Sequence, residues 1–118
     1  MPQRPGGASP STHRALRDPP TALFTSQNLL TIGGIRALRS AGLERRVALI
    51  GFDDVALADV LDPAVSVVAQ DPQALGRSAA DLLFRRLDGD NSPSVHHVVP
   101  VKLIARGSGE ISPAERAP

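Results

Sequence analysis

Residues 47–72, VALIGFDDVALADVLDPAVSVVAQDP, decide how this chain is read. Val47 to Phe52 is an uninterrupted apolar run that stops at two adjacent carboxylates, Asp53 and Asp54. Val65 to Ala69 is a second run, largely apolar, and it stops at Gln70 and Asp71. Short runs without polar alternation fit strands buried on both faces, as parallel strands are. A polar residue at the carboxyl end of such a strand stands on the edge where open α/β sheets bind ligands.

Upstream, Ala22 to Thr25 reads as a strand, and Gln27 to Ala41 carries Leu29, Leu30, Ile32, Ile35 and Leu38 at helical spacing, with Gly42 as the C-terminal cap. A strand, a helix and a strand of these lengths predict a βαβ unit with parallel strands. Downstream, Asp62-Pro63 signals a turn before the Val65 strand. Asp71 is placed to cap free amides, and Pro72 falls at the first helical position, where its missing N–H costs nothing. Leu75, Ala79, Leu82, Leu83 and Leu87 give this second helix an apolar face, expected to be buried, and Asp88-Gly89-Asp90 ends it. Val98 to Ala105 is a last strand, which Pro100 confines to an edge or a bulge. The class is α/β.

The ends differ from this middle. Residues 1–20 hold five of the 11 prolines and few large apolar side chains, too little to offset the entropy lost on ordering. The reading is a disordered lead over residues 1–19, one ordered unit over 20–108 and a disordered tail over 109–118.

Composition narrows the function. The net charge is +1, with no basic run able to neutralise several phosphates. Three Phe, no Trp and no Tyr leave little for bases to stack on. Without cysteine there is no thiolate metal site, and His96-His97 point to opposite faces of an extended chain, which argues against a shared ion. No P-loop, G-x-G-x-x-G or G-x-S-x-G run occurs, so neither catalytic residues nor a cofactor is assigned. Paired aspartates can hold Mg²⁺ in a phosphoacceptor domain, but the single lysine, Lys102, lies inside a strand rather than at its end. No apolar run approaches the roughly 20 residues that span a bilayer, and the amino terminus lacks a secretory apolar core, so a cytoplasmic protein is expected.

The topology brings Gln27 and Asn28, at a helix start, to the same edge as Asp53. An amide beside a carboxylate suits a ligand rich in hydroxyls or ring N–H groups. The same residues also have a local explanation: Asp53 and Asp54 as turn residues, Gln27-Asn28 as a helix start. Both readings stand at this level.

Taken together, TALFTSQNLLTIGGIRALRSAGL, VALIGFDD, LDPAVSVVAQDPQALGRSAADLLFRRLDG and VVPVKLIARGS resemble, in order and spacing, the carboxy-terminal part of the sensor domain of LacI/GalR transcriptional regulators. The resemblance covers residues 20 to about 108. It implies a partial periplasmic-binding-protein-like fold, with parallel strands and flanking helices. It further implies a small effector such as a sugar, a homodimer in intact relatives, and operator DNA reached through a helix-turn-helix headpiece outside this stretch. Asp53 matches the family's effector-contacting aspartate, and Gln70 matches its glutamine at the subdomain crossover. Gln27-Asn28 stand where the family has Asn-Asp, a departure at both positions. The other protein type sharing this fold is the sugar-binding component of a transport system.

Overall fold

A computed structural model describes residues 18–113. Residues 1–17 and 114–118, which hold most of the expected lead and half of the expected tail, lie outside the described residues. The elements are β1 (Ala22–Thr25), α1 (Asn28–Ser40), β2 (Ala48–Phe52), β3 (Ser66–Ala69), α2 (Pro72–Leu87), β4 (Lys102–Ile104) and a 3₁₀ turn (Ser108–Glu110). One sheet has the order β1-β2-β3-β4. β1, β2 and β3 run parallel, and β4 pairs antiparallel with β3 at the edge. The α/β class and the parallel strands are as the sequence predicts.

Both helix termini follow from local chemistry. Gly42, at φ 67, lets the chain leave α1 in the left-handed turn that glycine tolerates. Gly42 N–H then donates to Arg39 O and Leu43 N–H to Leu38 O, satisfying carbonyls that the helix end frees. At the start of α2, Asp71 accepts from Ala74 N–H at 3.0 Å, with Pro72 at the first helical position.

On α1 the residues facing the sheet are Thr31, Gly34 and Leu38, while Leu29, Leu30 and Ile32 are exposed. Where α1 crosses Gly51 it lies so close to β2 that only the small side chains of Thr31 and Gly34 fit, and Leu29, Leu30 and Ile32 turn outward. Two sequence expectations, the buried face of α2 and the extent of the last strand, need correction. On α2 no residue is buried; Leu75, Ala79, Leu82, Leu83 and Leu87 all face outward because no strand lies beneath them. The last strand shrinks from Val98–Ala105 to Lys102–Ile104, since only that stretch has a partner in β3.

Hydrogen bonds continue just past residue 108. Gly109 N–H donates to Ser66 Oγ at 3.1 Å, and Glu110 Oε1 accepts from the same hydroxyl at 3.2 Å. Polar side chains thereby fix these two residues.

The core lies between α1 and the sheet: Leu38, Leu43, Val47, Leu49, Val55, Ala58, Val65 and Val67. The 3₁₀ turn covers the opposite face, where a Cβ on Gly109 would meet Ile50 Cγ1 at 2.8 Å. Ser108, which is buried, donates through Oγ to Leu49 O at 2.6 Å and accepts from Ser66 N–H at 2.9 Å. No helix among the described residues is long and apolar enough to cross a membrane.

Candidate functional site

The sheet register sets the site. Thr25 is level with Gly51, and Gly51 with Val67. Two residues further along each strand direction stand Gln27, Asp53 and Ala69, with Gln70 next. All three chain segments therefore leave the sheet at one edge, where α1 also begins.

Asp53 and Gln70 meet directly. Gln70 Nε2 donates to Asp53 Oδ1, and Asp53 N–H donates to Val68 O at 2.9 Å, bracing the same two segments through backbone and side chain. Both residues are half-buried. Gln70 also borders an open recess lined by Ala69, Asp71, Pro72, Pro100 and Lys102.

Gln27 and Asn28 occupy the same edge but make no hydrogen bond with that pair. Gln27 Oε1 accepts from Leu29 N–H at 3.2 Å, and Asn28 Oδ1 accepts from the same N–H at 2.9 Å. Both side chains are exposed and turned back onto the first turn of α1, as capping residues are. The local explanation thus accounts for their present orientation, and the structure joins only two of the four candidate residues.

Asp54 has a different task. Its Oδ1 accepts from Arg106 Nη1 at 2.8 Å and its Oδ2 from Arg106 Nη2 at 2.9 Å, the paired fork geometry that arginine favours. Arg106 Nη1 also donates to Val65 O at 3.0 Å. Hydrogen bonds from Arg106, aided by its charge and by Val55 N–H, hold the Asp54 carboxyl below the ordinary carboxylate range. A depressed folded-state pKa contributes stability above the unfolded value of about 3.9 and loses it as pH falls through the folded value. Thermal stability measured from pH 5 to pH 2 is therefore expected to fall more steeply in the native chain than in Asp54→Asn, with the difference confined below about pH 4. Equal slopes in the two proteins would contradict that role.

The sequence reading missed Thr31, Gly51, Ser66, Arg106 and Ser108. Thr31 Oγ1 donates to Gln27 O at 3.1 Å and lies 2.7 Å from Thr25 Oγ1, so it ties the end of β1 to the start of α1. A hydroxyl on the buried stripe of a helix was the available signal. For Arg106 there was none, because its partner lies 52 residues away. No group of three or more His, Cys, Asp or Glu able to hold a metal occurs among the described residues.

A carboxylate and a carboxamide are bonded to each other at the carboxyl edge of parallel strands, beside a helix amino terminus, the place where open α/β sheets take small ligands. The chain belongs to the periplasmic binding protein-like domain family, whose model matches residues 3–109, and it is similar to part of several HTH-type transcriptional regulators. The HTH-type transcriptional regulator MalR of Streptomyces coelicolor is 33% identical over 98 residues, covering 81% of this chain and 28% of MalR. A structure of a LacI transcriptional regulator from Bacillus cereus subsp. cytotoxis has a TM-score of 0.78 at 26% identity, over 86% of this chain and 37% of that one. The structure of the regulator CelR with cellobiose has a TM-score of 0.67 at 32% identity, over 75% of this chain and 28% of that one. The chain thus spans under a third of the length of the curated relatives it matches.

Proposed function

We propose that this chain is the carboxy-terminal part of the effector-sensing domain of a LacI-type regulator, and that Asp53 and Gln70 bind a sugar. The hydrogen bond between them at the strand edge carries the reading. It joins an acceptor-only carboxylate to a donor-acceptor amide, a combination that matches vicinal hydroxyls. The cellobiose bound to CelR supports a sugar over other polar ligands. Gln27 and Asn28 join the site by turning from their own helix start toward the guest. The role is regulatory rather than catalytic and the location cytoplasmic. Operator DNA is reached through a headpiece outside this stretch. In the intact regulator two copies associate, an arrangement supported by the exposed Leu29, Leu30 and Ile32 on α1 and by Leu57 and Val60 in the loop between β2 and β3.

Calorimetric titration with cellobiose tests the reading. Saturable heat is expected, and Asp53→Asn is expected to weaken binding about tenfold to a hundredfold, the worth of one charge-assisted hydrogen bond. Equal affinity in the native chain and the variant would remove Asp53 from the site.

A further inference from the structure

Asp53 has φ 74, in the left-handed region that residues other than glycine rarely enter. A conformation of this kind persists where neighbouring structure over-determines it, and such positions cluster at binding sites. On the amino side of Asp53 the constraint is its N–H on Val68 O. On the carboxyl side it is Asp54, whose two oxygens are gripped by Arg106. Arg106 is itself immobilised: Nη1 donates to Val65 O, the backbone N–H donates to Ser66 Oγ at 3.0 Å, and the side chain is only 17% exposed.

We propose that Arg106, acting through Asp54, is a positioning residue for the candidate ligand site. The paired fork holds the peptide that follows Asp53 and so directs the Asp53 carboxylate toward Gln70. The proposal rests on the ligand-binding reading of Asp53 and adds a residue that touches no ligand. It has a mechanical corollary. Arg106 lies just beyond β4, the strand that returns along the sheet edge, so displacement of that segment is transmitted to Asp53 through a planar, two-bond coupling rather than a flexible one.

The test uses the full chain and no ligand. Amide hydrogen exchange and the Gln70 side-chain amide signals are followed by NMR in Arg106→Lys, which keeps the charge without the fork, and in Asp54→Asn, which keeps the shape without the charge. The Asp53 N–H is expected to exchange at least tenfold faster in both variants, and the Gln70 signals to move toward those of a free carboxamide. Ala48 N–H, bonded to Thr21 O at the far end of β2, is expected to stay protected. Unchanged exchange at Asp53 overturns the proposal. Equal acceleration at Ala48 also overturns it, because that reports general loosening. A local effect at Asp53 together with a blank cellobiose titration supports the positioning role while removing the sugar reading.

Discussion

Replacing Gly51 by alanine is expected to destabilise the domain by about 3 kcal/mol, at the upper end of overpacking costs, even though alanine suits a strand at least as well as glycine does. A Cβ on Gly51 would lie 2.5 Å from Thr31 Oγ1 and 2.8 Å from Thr31 Cγ2. Thr31 cannot give way cheaply: it is fully buried, its β-branched side chain is stiff at χ1, and it bonds Gln27 O and Thr25 Oγ1. Either α1 lifts from β2 or both hydrogen bonds break. Each outcome displaces Gln27 and Asn28 from the edge that Asp53 shares. Urea denaturation measures the cost, and Thr31→Ala supplies the control. Removing the hydroxyl and methyl takes away the two closest contacts, so Gly51→Ala should cost far less in a Thr31→Ala background, with a coupling of about 1–3 kcal/mol. Additive effects would show that something other than this contact requires glycine.

That contact shows where sequence reading succeeds and where it stops. Val47 to Phe52 and Val65 to Ala69 read correctly as parallel strands because a continuous apolar run is a local property. The caps at Gly42 and Asp71 were legible for the same reason. Gln27, Asn28 and Asp53 were assigned to one edge because strand direction puts them there, whereas Gln70 was singled out by the family resemblance. Which face of α1 turns inward was not legible: Leu29, Leu30 and Ile32 have the hydrophobicity of core residues, but the close approach at Gly51 decides the matter, and that is a property of two segments together. The apolar stripe of α2 was read correctly as a stripe, yet a stripe says nothing about whether a surface exists to cover it. The network around Arg106 and Ser66 was invisible, since each member is an ordinary polar residue until the fold places the others beside it.

Ser66 carries the second large effect. It is fully buried, and its Oγ accepts from Arg106 N–H and Gly109 N–H while donating to Glu110 Oε1. Ser66→Ala preserves the strand and removes one atom, but it strips two part-buried backbone donors of their acceptor. A buried donor left without a partner costs about 1–3 kcal/mol, so the variant is expected to lose roughly 3 kcal/mol, somewhat offset by water reaching the less buried of the two. Glu110→Gln retains an acceptor at an exposed position and should stay within about 0.5 kcal/mol of the native chain, which attributes the loss to the two N–H groups rather than to Glu110. A further consequence separates this account from a simple packing defect. With its backbone no longer fixed by Ser66, Arg106 should grip Asp54 less firmly, and the acid-dependent loss of stability below about pH 4 should shrink in Ser66→Ala as it does in Asp54→Asn. Thermal melts across that pH range read both effects at once, and an undiminished acid slope in Ser66→Ala would mean that Arg106 holds its place without the serine.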